Sequence, residues 1–399
     1  ICWSLVGSEM CIRDSYRDVS QLEMSVTRKI GCCINSLNHP KFNAGGWFEN
    51  LDVLCVDECT KVLIQLVGST VEQPEAVTDT LIRAMNSAGQ VIICDADAND
   101  NLIQVLSQHT NRKIYVAQNN PKMDHVNVTI TQFEDAYSHA LAKATAGETV
   151  LAACDSKNDV EKLKRSVKKR NKKTRVLTVT SETKAQKNVE AWIKNPNKES
   201  SRWDVVIYNS AVDSGVSITT DHFQHQVGLF RGVIPPDSVI QMMGRNRRAR
   251  SWVLGCTPIT PTVFVHSIED RLKALTAANL KVQYEAGNEV TELPVASAYD
   301  RIRLAMEHSE MTSRQEYAVT LRMMMEQKGY RVQVKESPEK CMKALRKEMR
   351  EFGSAIHEEN IDLIMSAETP NRARYKELKQ AYAVTRKEGA EIIRYEITN

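Results

Sequence analysis

Between about residues 50 and 270, short runs rich in Val and Ile alternate with amphipathic stretches, and this alternation limits the possible folds more than any other feature. The apolar runs show no polar–apolar alternation of their own, which is typical of strands covered on both faces. Strands that alternate with helices predict parallel sheets in an α/β fold. The predicted strands are Val53–Val56, Val91–Cys94, Lys113–Ala117, Val126–Thr131, Thr149–Ala153, Arg175–Thr180, Asp204–Tyr208, Gln226–Phe230 and Thr262–His266.

The stretches between these strands carry apolar residues at helical spacing. The predicted helices are Pro74–Ser87, Phe133–Ala146, Asn158–Asn171, Ser181–Asn195, Pro236–Arg247 and Glu269–Asn279. From about residue 271 the pattern changes to helices with mixed charges, and Gly329–Val334 is the one short strand expected there. A polar break near residues 118–125 divides the α/β region into two units. We therefore expect two parallel-sheet domains followed by a mainly helical C-terminal region.

The composition fits a folded chain with more than one domain. Of its 399 residues, 42% are hydrophobic and 26% are charged, which excludes a disordered chain or a coiled-coil rod. No apolar run approaches the roughly 18–20 residues that span a bilayer, so an integral membrane protein is excluded. The ten cysteines show no zinc-ligand spacing and no secretory signal is recognisable, so we expect reduced, mostly buried thiols and a cytoplasmic location.

Acidic residues follow two of the predicted strands at the point where each strand ends. Asp57 and Glu58 come directly after the first strand, and Asp95 and Asp97 follow the second. In open α/β sheets, ligands bind at the carboxyl ends of the strands. One carboxylate there can hold Mg²⁺, while its neighbour orients or deprotonates an attacking water. The first pair alone is more simply a strand-ending turn, but the recurrence of acids after the second strand favours a carboxylate site.

An arginine cluster follows a predicted helix start at Pro235-Pro236. The stretch from Gln241 to Arg250 contains four Arg and no acidic residue. Gln241, Arg245 and Arg248 are spaced i, i+4 and i+7, so they are predicted to share one helical face. Guanidinium groups fixed on one face suit bidentate phosphate binding and can stabilise the charge of a transferring phosphoryl group. The alternative is a basic surface helix.

Two further segments have a composition that suits contact with phosphates. Asn209–Ile218 follows a predicted strand with small polar residues and Gly215, which allow a ligand or a nucleic-acid backbone to approach closely. Between Lys157 and Arg175 there are ten basic residues and two acidic ones, although the whole chain has a net charge of only +3. Such a cluster suits nucleotide or nucleic-acid phosphates. The alternative is a solvated helix face.

Together these elements resemble the motifs of superfamily 2 helicases. Asp57-Glu58-Cys59-Thr60 resembles motif II, the DExx box, and Asp95-Ala96-Asp97 stands at the place of motif III. Glu148–Lys157 resembles motif IV and Ser210–Ile218 resembles motif V. Gln241–Arg248 resembles motif VI, with its pattern Q-x-x-G-R-x-x-R. The order and spacing of these motifs agree over about residues 25–255.

A finer resemblance is to replication proteins of plasmids and phages that are related to the herpesvirus origin-binding protein. Cys33-Ile-Asn-Ser36-Leu37, ahead of the DExx box, resembles that family's Ser-Leu element. The stretch Gly-Arg-Asn-Arg that begins at Gly244 also fits the family. The helical stretch Tyr317–Tyr330 resembles the tail that follows the helicase core in bacterial plasmid replication proteins.

The resemblance implies two RecA-like domains, the first of them incomplete, with ATP and Mg²⁺ in the cleft and single-stranded DNA across the top. By motif position, Asp57 would hold the Mg²⁺ and Glu58 would activate the hydrolytic water. Gln241 and Arg245 would face the phosphates. Arg248 would be the arginine finger, and the neighbouring Arg247 could take that role instead.

The resemblance also implies contacts to nucleic acid. Gly215 and Ser217 would lie near the nucleotide or couple it to DNA. Ser36, Ser156 and Lys157 would contact the DNA backbone, with duplex DNA and other replication proteins as further partners. Motif III is often Ser-Ala-Thr, and the two acids at its place here cannot reproduce those hydroxyl groups. The step that couples the nucleotide to DNA is therefore not assigned to residues.

One expected motif is missing. The sequence contains no Gly-x-x-x-x-Gly-Lys-[Ser/Thr] loop, whose backbone N–H groups and Lys would hold the phosphates. Residues 1–15 resemble a translated library-adapter string, so we expect an N-terminally truncated fragment that is inactive alone. The expected segments are 1–15, not native; 16–120, part of the first RecA-like domain; 121–270, the second; and 271–399, the helical region.

Three functions are compatible with these sequence features. The first is an ATP-dependent DNA helicase or translocase of a replication initiation protein. The second is a non-catalytic module that binds nucleic acid through its basic stretches. The third is another superfamily 2 motor, such as an RNA helicase.

Overall fold

The computed structural model describes residues 20, 23, 29–43, 47–68, 71–96, 98–119, 122–210, 212, 216–257, 267–286, 296–335, 342–381 and 384–399. The chain divides into two compact units. The first unit contains Ile1–Gln118 and Val263–Thr312, and the second contains Asn119–Thr262 and Ser313–Asn399. Four predicted features lie outside the described residues, namely the segment 1–15, Asp97, Gly215 and the strand Thr262–His266.

The first unit contains a two-stranded parallel sheet. Strands β1 (Val53–Asp57) and β2 (Gln90–Cys94) pair with Asp57 opposite Cys94. The surrounding helices pack Leu63, Leu66 and Val77 into one core. Four α-helices with described bounds precede residue 118 in this unit, namely α1 (Pro40–Asn43), α2 (Cys59–Val67), α3 (Pro74–Ser87) and α4 (Asp100–His109).

One face of this small sheet is open. Val53 is 50% exposed and Ile92 is 41% exposed. The prediction that these strands are covered on both faces is therefore wrong for the described part of the unit. Cys55 is also exposed, as are Cys32 and Cys33, against the prediction of mostly buried thiols.

The predicted strand Lys113–Ala117 is not formed. The segment is irregular, and Tyr115 within it is 81% exposed. A Val/Ile-rich run becomes a strand only when a neighbouring strand completes its hydrogen bonds. Among the described residues, β1 and β2 pair only with each other in this unit.

The second unit contains a seven-stranded sheet with the order β5-β6-β4-β7-β8-β3-β9, in which every paired neighbour is parallel. Its strands are β3 (Asn127–Gln132), β4 (Val150–Cys154), β5 (Val176–Val179), β6 (Val205–Tyr208), β7 (His225–Phe230), β8 (Ser251–Cys256) and β9 (Arg331–Val334). The helices between them are α5 (Phe133–Thr145), α6 (Lys157–Arg170), α7 (Lys187–Lys194), α8 (Pro196–Glu199) and α9 (Pro236–Met243).

The sequence analysis missed β8, which lies directly after the arginine cluster. It pairs with β3 on one side and with β7 on the other, so it completes the middle of the sheet. A Cβ atom on Gly255 would lie 2.7 Å from the Ala136 Cβ, so only glycine allows α5 to pack this closely on β8. Helices cover the sheet on both faces, and each face has its own apolar core.

The described residues from 267 onward are mainly helical, in agreement with the helical region predicted from about residue 271. Helices α10 (Ile268–Glu285) and most of α11 (Ala298–Gln315) belong to the first unit. Helices α12 (Tyr317–Gln327), α13 (Lys343–Ser366), α14 (Arg372–Gln380) and α15 (Arg386–Thr398) belong to the second. The predicted α/β class with parallel sheets and a helical C-terminal region is confirmed. No helix in the described ranges has the length and apolar character needed to traverse a bilayer.

Candidate active site and nucleic-acid contacts

The turn after β1 presents two adjacent carboxylates. Asp57 ends the strand and is exposed, and Glu58 is half-buried. Glu58 has φ 50° and ψ 52°, a left-handed conformation that costs a non-glycine residue about 1–2 kcal/mol. This conformation turns the chain directly from β1 into α2. The Glu58 carboxylate then lies 2.9 Å from Lys61 Nζ.

Asp95 braces this turn from the neighbouring strand. It follows Cys94, which pairs with Asp57, and its Oδ2 accepts a hydrogen bond of 2.6 Å from the Thr60 backbone N–H. Thr60 lies in the first turn of α2, where N–H groups lack partners within the helix and attract negative charge. The structure therefore gives Asp95 a positioning role at the DExx turn.

The carboxylates of this turn fit a magnesium ion that arrives with a nucleotide. In the described part of the chain, no three His, Cys, Asp or Glu side chains are grouped so that they could hold a metal. Asp57 and Glu58 instead offer two neighbouring carboxylates at an exposed strand end. Mg²⁺ is commonly held by one or two carboxylates together with phosphate oxygens and water.

The arginine cluster does not continue α9, so the predicted helical face is wrong. The helix ends at Met243, and Gly244 caps it with an N–H that donates to the Ile240 carbonyl at 2.9 Å. Arg245, Arg247 and Arg248 lie in the segment beyond the helix. Gln241 is therefore the one member of the predicted face that is helical.

Side chains from the sheet end this helix. The Tyr208 hydroxyl donates to the Met242 carbonyl at 2.8 Å, and Gln226 Nε2 donates to the Met243 carbonyl at 2.5 Å. In a longer helix these two carbonyls would accept from the N–H groups of residues 246 and 247. Instead, the Arg247 N–H donates to the Ile218 carbonyl at 2.8 Å.

This pairing joins two of the predicted site segments. The Ile218 N–H donates to the Arg245 carbonyl at 2.8 Å, and Ile218 and Asn246 form an isolated parallel bridge. Ser217 therefore lies beside the arginine segment. Asn197 holds the same loop, because its Oδ1 accepts from the Thr219 N–H at 2.6 Å. The sequence analysis missed Asn197, which belongs to no recognised motif.

The site residues of this segment differ in exposure. Gln241 and Arg245 are half-buried, whereas Arg247 and Arg248 are exposed. Arg248 Nε donates to the Thr219 carbonyl at 3.1 Å and lies 3.6 Å from the Asp221 carboxylate. Burial raises the pKa of the Tyr208 hydroxyl, and the positive charge of Arg245 opposes that rise.

Replacing Tyr208 with Phe tests how the helix end is held. We expect the variant to lose about 0.5–1.5 kcal/mol of unfolding free energy, because the Met242 carbonyl loses its side-chain donor and keeps only the Arg245 N–H, at 3.2 Å. Urea unfolding followed by circular dichroism measures the change. Tyr115→Phe removes a hydroxyl from a residue that is 81% exposed and should leave stability unchanged. Equal stability of both variants would contradict the proposed role.

The residues predicted to contact DNA lie in two different settings. Ser156 precedes α6 without capping it through its side chain, and the exposed Lys157 pairs with Glu182 at 2.6 Å. Ser36 is only 6% exposed, and its hydroxyl lies 3.3 Å from Cys33 Sγ. Little of the Ser36 hydroxyl is therefore available to a DNA phosphate in this structure.

The basic helix α6 is not an open, solvated face. Arg165 pairs with Glu359 of α13 at 2.7 Å. Arg170 and Lys169 pair with Glu348 of the same helix at 2.7 Å and 3.0 Å. Acidic side chains from the C-terminal region therefore pair with some of the basic side chains of α6. The sequence had predicted that these basic side chains face phosphates or solvent.

A buried acidic pair, which the sequence analysis also missed, links the ends of β4 and β7. Asp155 Oδ2 accepts from the backbone N–H groups of Arg231 and Val233 at 2.8 Å and 2.9 Å. Asp159, 1% exposed, pairs with Arg231 Nε at 2.9 Å. Burial raises the pKa of Asp155 despite these hydrogen bonds. The pair anchors the start of α6 to the sheet.

Comparison with known families supports the resemblance for one segment. Residues 15–121 match the family model described as "Origin of replication binding protein". The segment contains Ser36, Asp57, Glu58 and Asp95, and the predicted resemblance to this family is confirmed over its length. No curated protein matches the chain.

Three solved structures are similar to the chain at low scores. S. cerevisiae Dbp5 bound to RNA and ADP BeF3 shares 10% identity with a TM-score of 0.40, over 75% of this chain and 63% of that chain. The DUF1998 helicase MrfA bound to DNA shares 13% identity with a TM-score of 0.38, over 80% and 45%. T4 UvsW shares 11% identity with a TM-score of 0.30, over 83% and 62%. The chain spans less than two thirds of the length of each.

Proposed function

We propose that this chain is the motor core of a DNA helicase or translocase that acts in replication initiation and uses ATP with Mg²⁺. The observation that carries the proposal is the turn after β1. It presents Asp57 and Glu58 side by side, is braced by Asp95, and lies within the segment that matches the origin-binding family. The bridge between Ile218 and Asn246 supports the proposal from the second unit.

In the first unit, the proposed chemistry uses the two carboxylates separately. Asp57 would hold Mg²⁺ through its exposed side chain, and Glu58 would accept a proton from the attacking water. The ion pair with Lys61 at 2.9 Å restricts the direction of the Glu58 carboxylate. Bound Mg²⁺ would neutralise part of the charge on the phosphoryl oxygens.

In the second unit, the arginine segment would bind phosphate. The half-buried Gln241 and Arg245 would hold the phosphate oxygens. Arg248 would stabilise the charge that develops during transfer, for which it must exchange the Thr219 carbonyl for a phosphate oxygen. Arg247, which is exposed beside it, is the alternative finger.

The remaining site residues would connect the nucleotide to DNA. Ser217 lies beside the arginine segment, and Gly215, which is outside the described residues, would act with it. Ser156 and Lys157 at the start of α6 would contact the backbone of single-stranded DNA, and Ser36 would do so after becoming more exposed. Other replication proteins would be further partners. Glu359 and Glu348 pair with basic side chains of α6, which counts against a module that binds nucleic acid by its basic charge alone.

The test measures ATP hydrolysis, with and without single-stranded DNA, by a protein in which a phosphate loop precedes this core. We expect turnover to rise when single-stranded DNA is added, and no rise would contradict the proposal. A stronger response to RNA would favour an RNA helicase. The 399 residues alone should show no measurable turnover, because their sequence contains no phosphate loop. Robust hydrolysis by them that is lost on Glu58→Gln would contradict this second expectation.

A further inference from the structure

Helix α13 rests on α6 with little apolar contact. It is 24 residues long, and its only buried residues are Met349 and Ile356. Leu345 adds one partly buried side chain to the core that contains Met349, and Lys169 Nζ of α6 lies 5.5 Å from the ring centre of the half-buried Phe352. Burial of apolar surface is the main force that holds a helix in place. With so few buried apolar side chains, α13 depends largely on polar contacts for its position.

Two acidic side chains of α13 contact cations of α6, while Arg346 pairs with Glu134 of α5 and Asn360 accepts from Arg386 of α15. Both terminal nitrogens of Arg165 donate to Glu359, at 2.9 Å and 2.7 Å. Arg170 and Lys169 donate to the two oxygens of Glu348, at 2.7 Å and 3.0 Å. A guanidinium fork that holds both oxygens of a carboxylate has the same geometry with which Arg holds a phosphate.

Both carboxylates carry charge in this arrangement. Burial opposes ionisation of Glu348, but hydrogen bonds from Arg170, Lys169 and Ser166 outweigh it and lower its pKa. The hydrogen bond from Arg165 lowers the pKa of Glu359. The two acids therefore act as anions against α6 at neutral pH.

A cleft beside these ion pairs gives a long anion a place to enter. It has a volume of about 500 Å³ and lies between the first turns of α6 and the helices α13 and α15. Its lining includes the cations Lys157, Lys164 and Arg386, two of which pair with the lining carboxylates Glu182 and Glu161. A single strand of nucleic acid that is held at Lys157 would thus lie next to the ion pairs formed by Arg165.

We infer that α13 is an internal competitor of nucleic acid. Glu348 and Glu359 occupy the positions on Arg165, Lys169 and Arg170 that phosphates would take, and a single strand that binds along α6 must displace them. The inference rests on the DNA-binding part of the proposed function and needs no ATP hydrolysis.

The test compares two double variants of α13 that remove the same charge. Glu348→Gln/Glu359→Gln removes the acids that face α6, and Gln keeps the side-chain length and hydrogen-bonding groups. The control is Glu351→Gln/Glu358→Gln, since both residues are exposed and Glu351 pairs within α13 with Lys347. Fluorescence anisotropy with labelled oligo-dT measures affinity over a range of salt concentrations.

We expect the first variant to bind oligo-dT about tenfold more tightly than the unmodified chain at low salt, with a slope of log K against log salt steeper by about 2. The reason is that Arg165, Lys169 and Arg170 lose their acidic partners on α13, and Arg165 keeps only Glu161 of its own helix. The control should bind like the unmodified chain. Hydrogen exchange in Lys343–Ser366 of the unmodified chain should rise when oligo-dT is added. This second measurement does not depend on the folding of a variant.

The outcomes separate this inference from the proposed function. If the unmodified chain binds oligo-dT but the Glu348/Glu359 variant gains no affinity, the competitor role is overturned and DNA binding stands. If neither protein binds oligo-dT or oligo-U, both ideas fail. If only binding of oligo-U increases, the competitor role holds with RNA as the displacing strand, and the DNA preference is wrong.

Discussion

Replacing Glu58 with Gln is expected to lower ATP turnover by about two to four orders of magnitude in a protein that carries this core behind a phosphate loop. Gln preserves the volume and one oxygen of the side chain but cannot accept a proton from water. Its left-handed backbone conformation is equally accessible to Glu and Gln, because both have the same branching at Cβ. The defect should therefore be chemical and leave the fold intact.

The measurement is steady-state ATP hydrolysis, together with binding of a fluorescent ADP analogue in the presence of Mg²⁺. Nucleotide binding should persist, since Asp57 and the phosphate-binding residues are unchanged. The ion pair with Lys61 is partly exposed, so its loss should cost at most about 1 kcal/mol of stability. Glu72→Gln, an exposed position of the same unit, is the matched control. Retention of near-normal turnover by the Glu58 variant would remove it as the general base.

Replacing Arg248 with Ala is expected to reduce kcat by about three orders of magnitude in the same protein, which is the range that a transition-state arginine supplies. KM for ATP should change little, because the finger acts mainly on charge that develops during transfer. The hydrogen bond to the Thr219 carbonyl lies at the surface, so the fold should tolerate its loss.

Two neighbouring variants make this test specific. Arg247→Ala identifies which of the two exposed arginines is the finger, because only the finger should lower kcat with KM preserved. Arg250→Ala removes a third exposed arginine of the cluster and serves as the control. A larger kcat defect in Arg247→Ala would transfer the role to that residue. Normal kcat in both variants would refute a catalytic role for the arginine segment.

Much of the fold was predictable because its signals are local. The apolar runs around β1, β2 and β6 are short, Val/Ile-rich and bounded by polar residues, and each became a strand in a parallel sheet. Helix α3 was predicted with its observed ends, since Pro74 starts it and the apolar spacing continues to Ser87. The two carboxylates at the end of β1 followed from the same reasoning, because a strand end can be read from a few neighbouring residues.

The arginine segment shows where local reasoning failed. Its spacing is compatible with a helix, and no residue between Gln241 and Arg250 forbids one. Tyr208 and Gln226, which come from two other strands, take the carbonyls that another helical turn would need. Ile218 then pairs with the freed backbone. These competing hydrogen bonds exist only after the sheet has formed.

The sequence by itself determined most of the strands and helices, the strand-end carboxylates and the positions of basic charge, because each depends on residues close together in the chain. Tertiary structure decided which of these features meet. Within the described ranges it left Lys113–Ala117 without a strand partner, inserted β8 between β7 and β3, and brought Asp95 to the first turn of α2. It also placed Glu348 and Glu359 on the basic face of α6. Pairing and charge neutralisation require partners far away in sequence, and no local pattern names those partners.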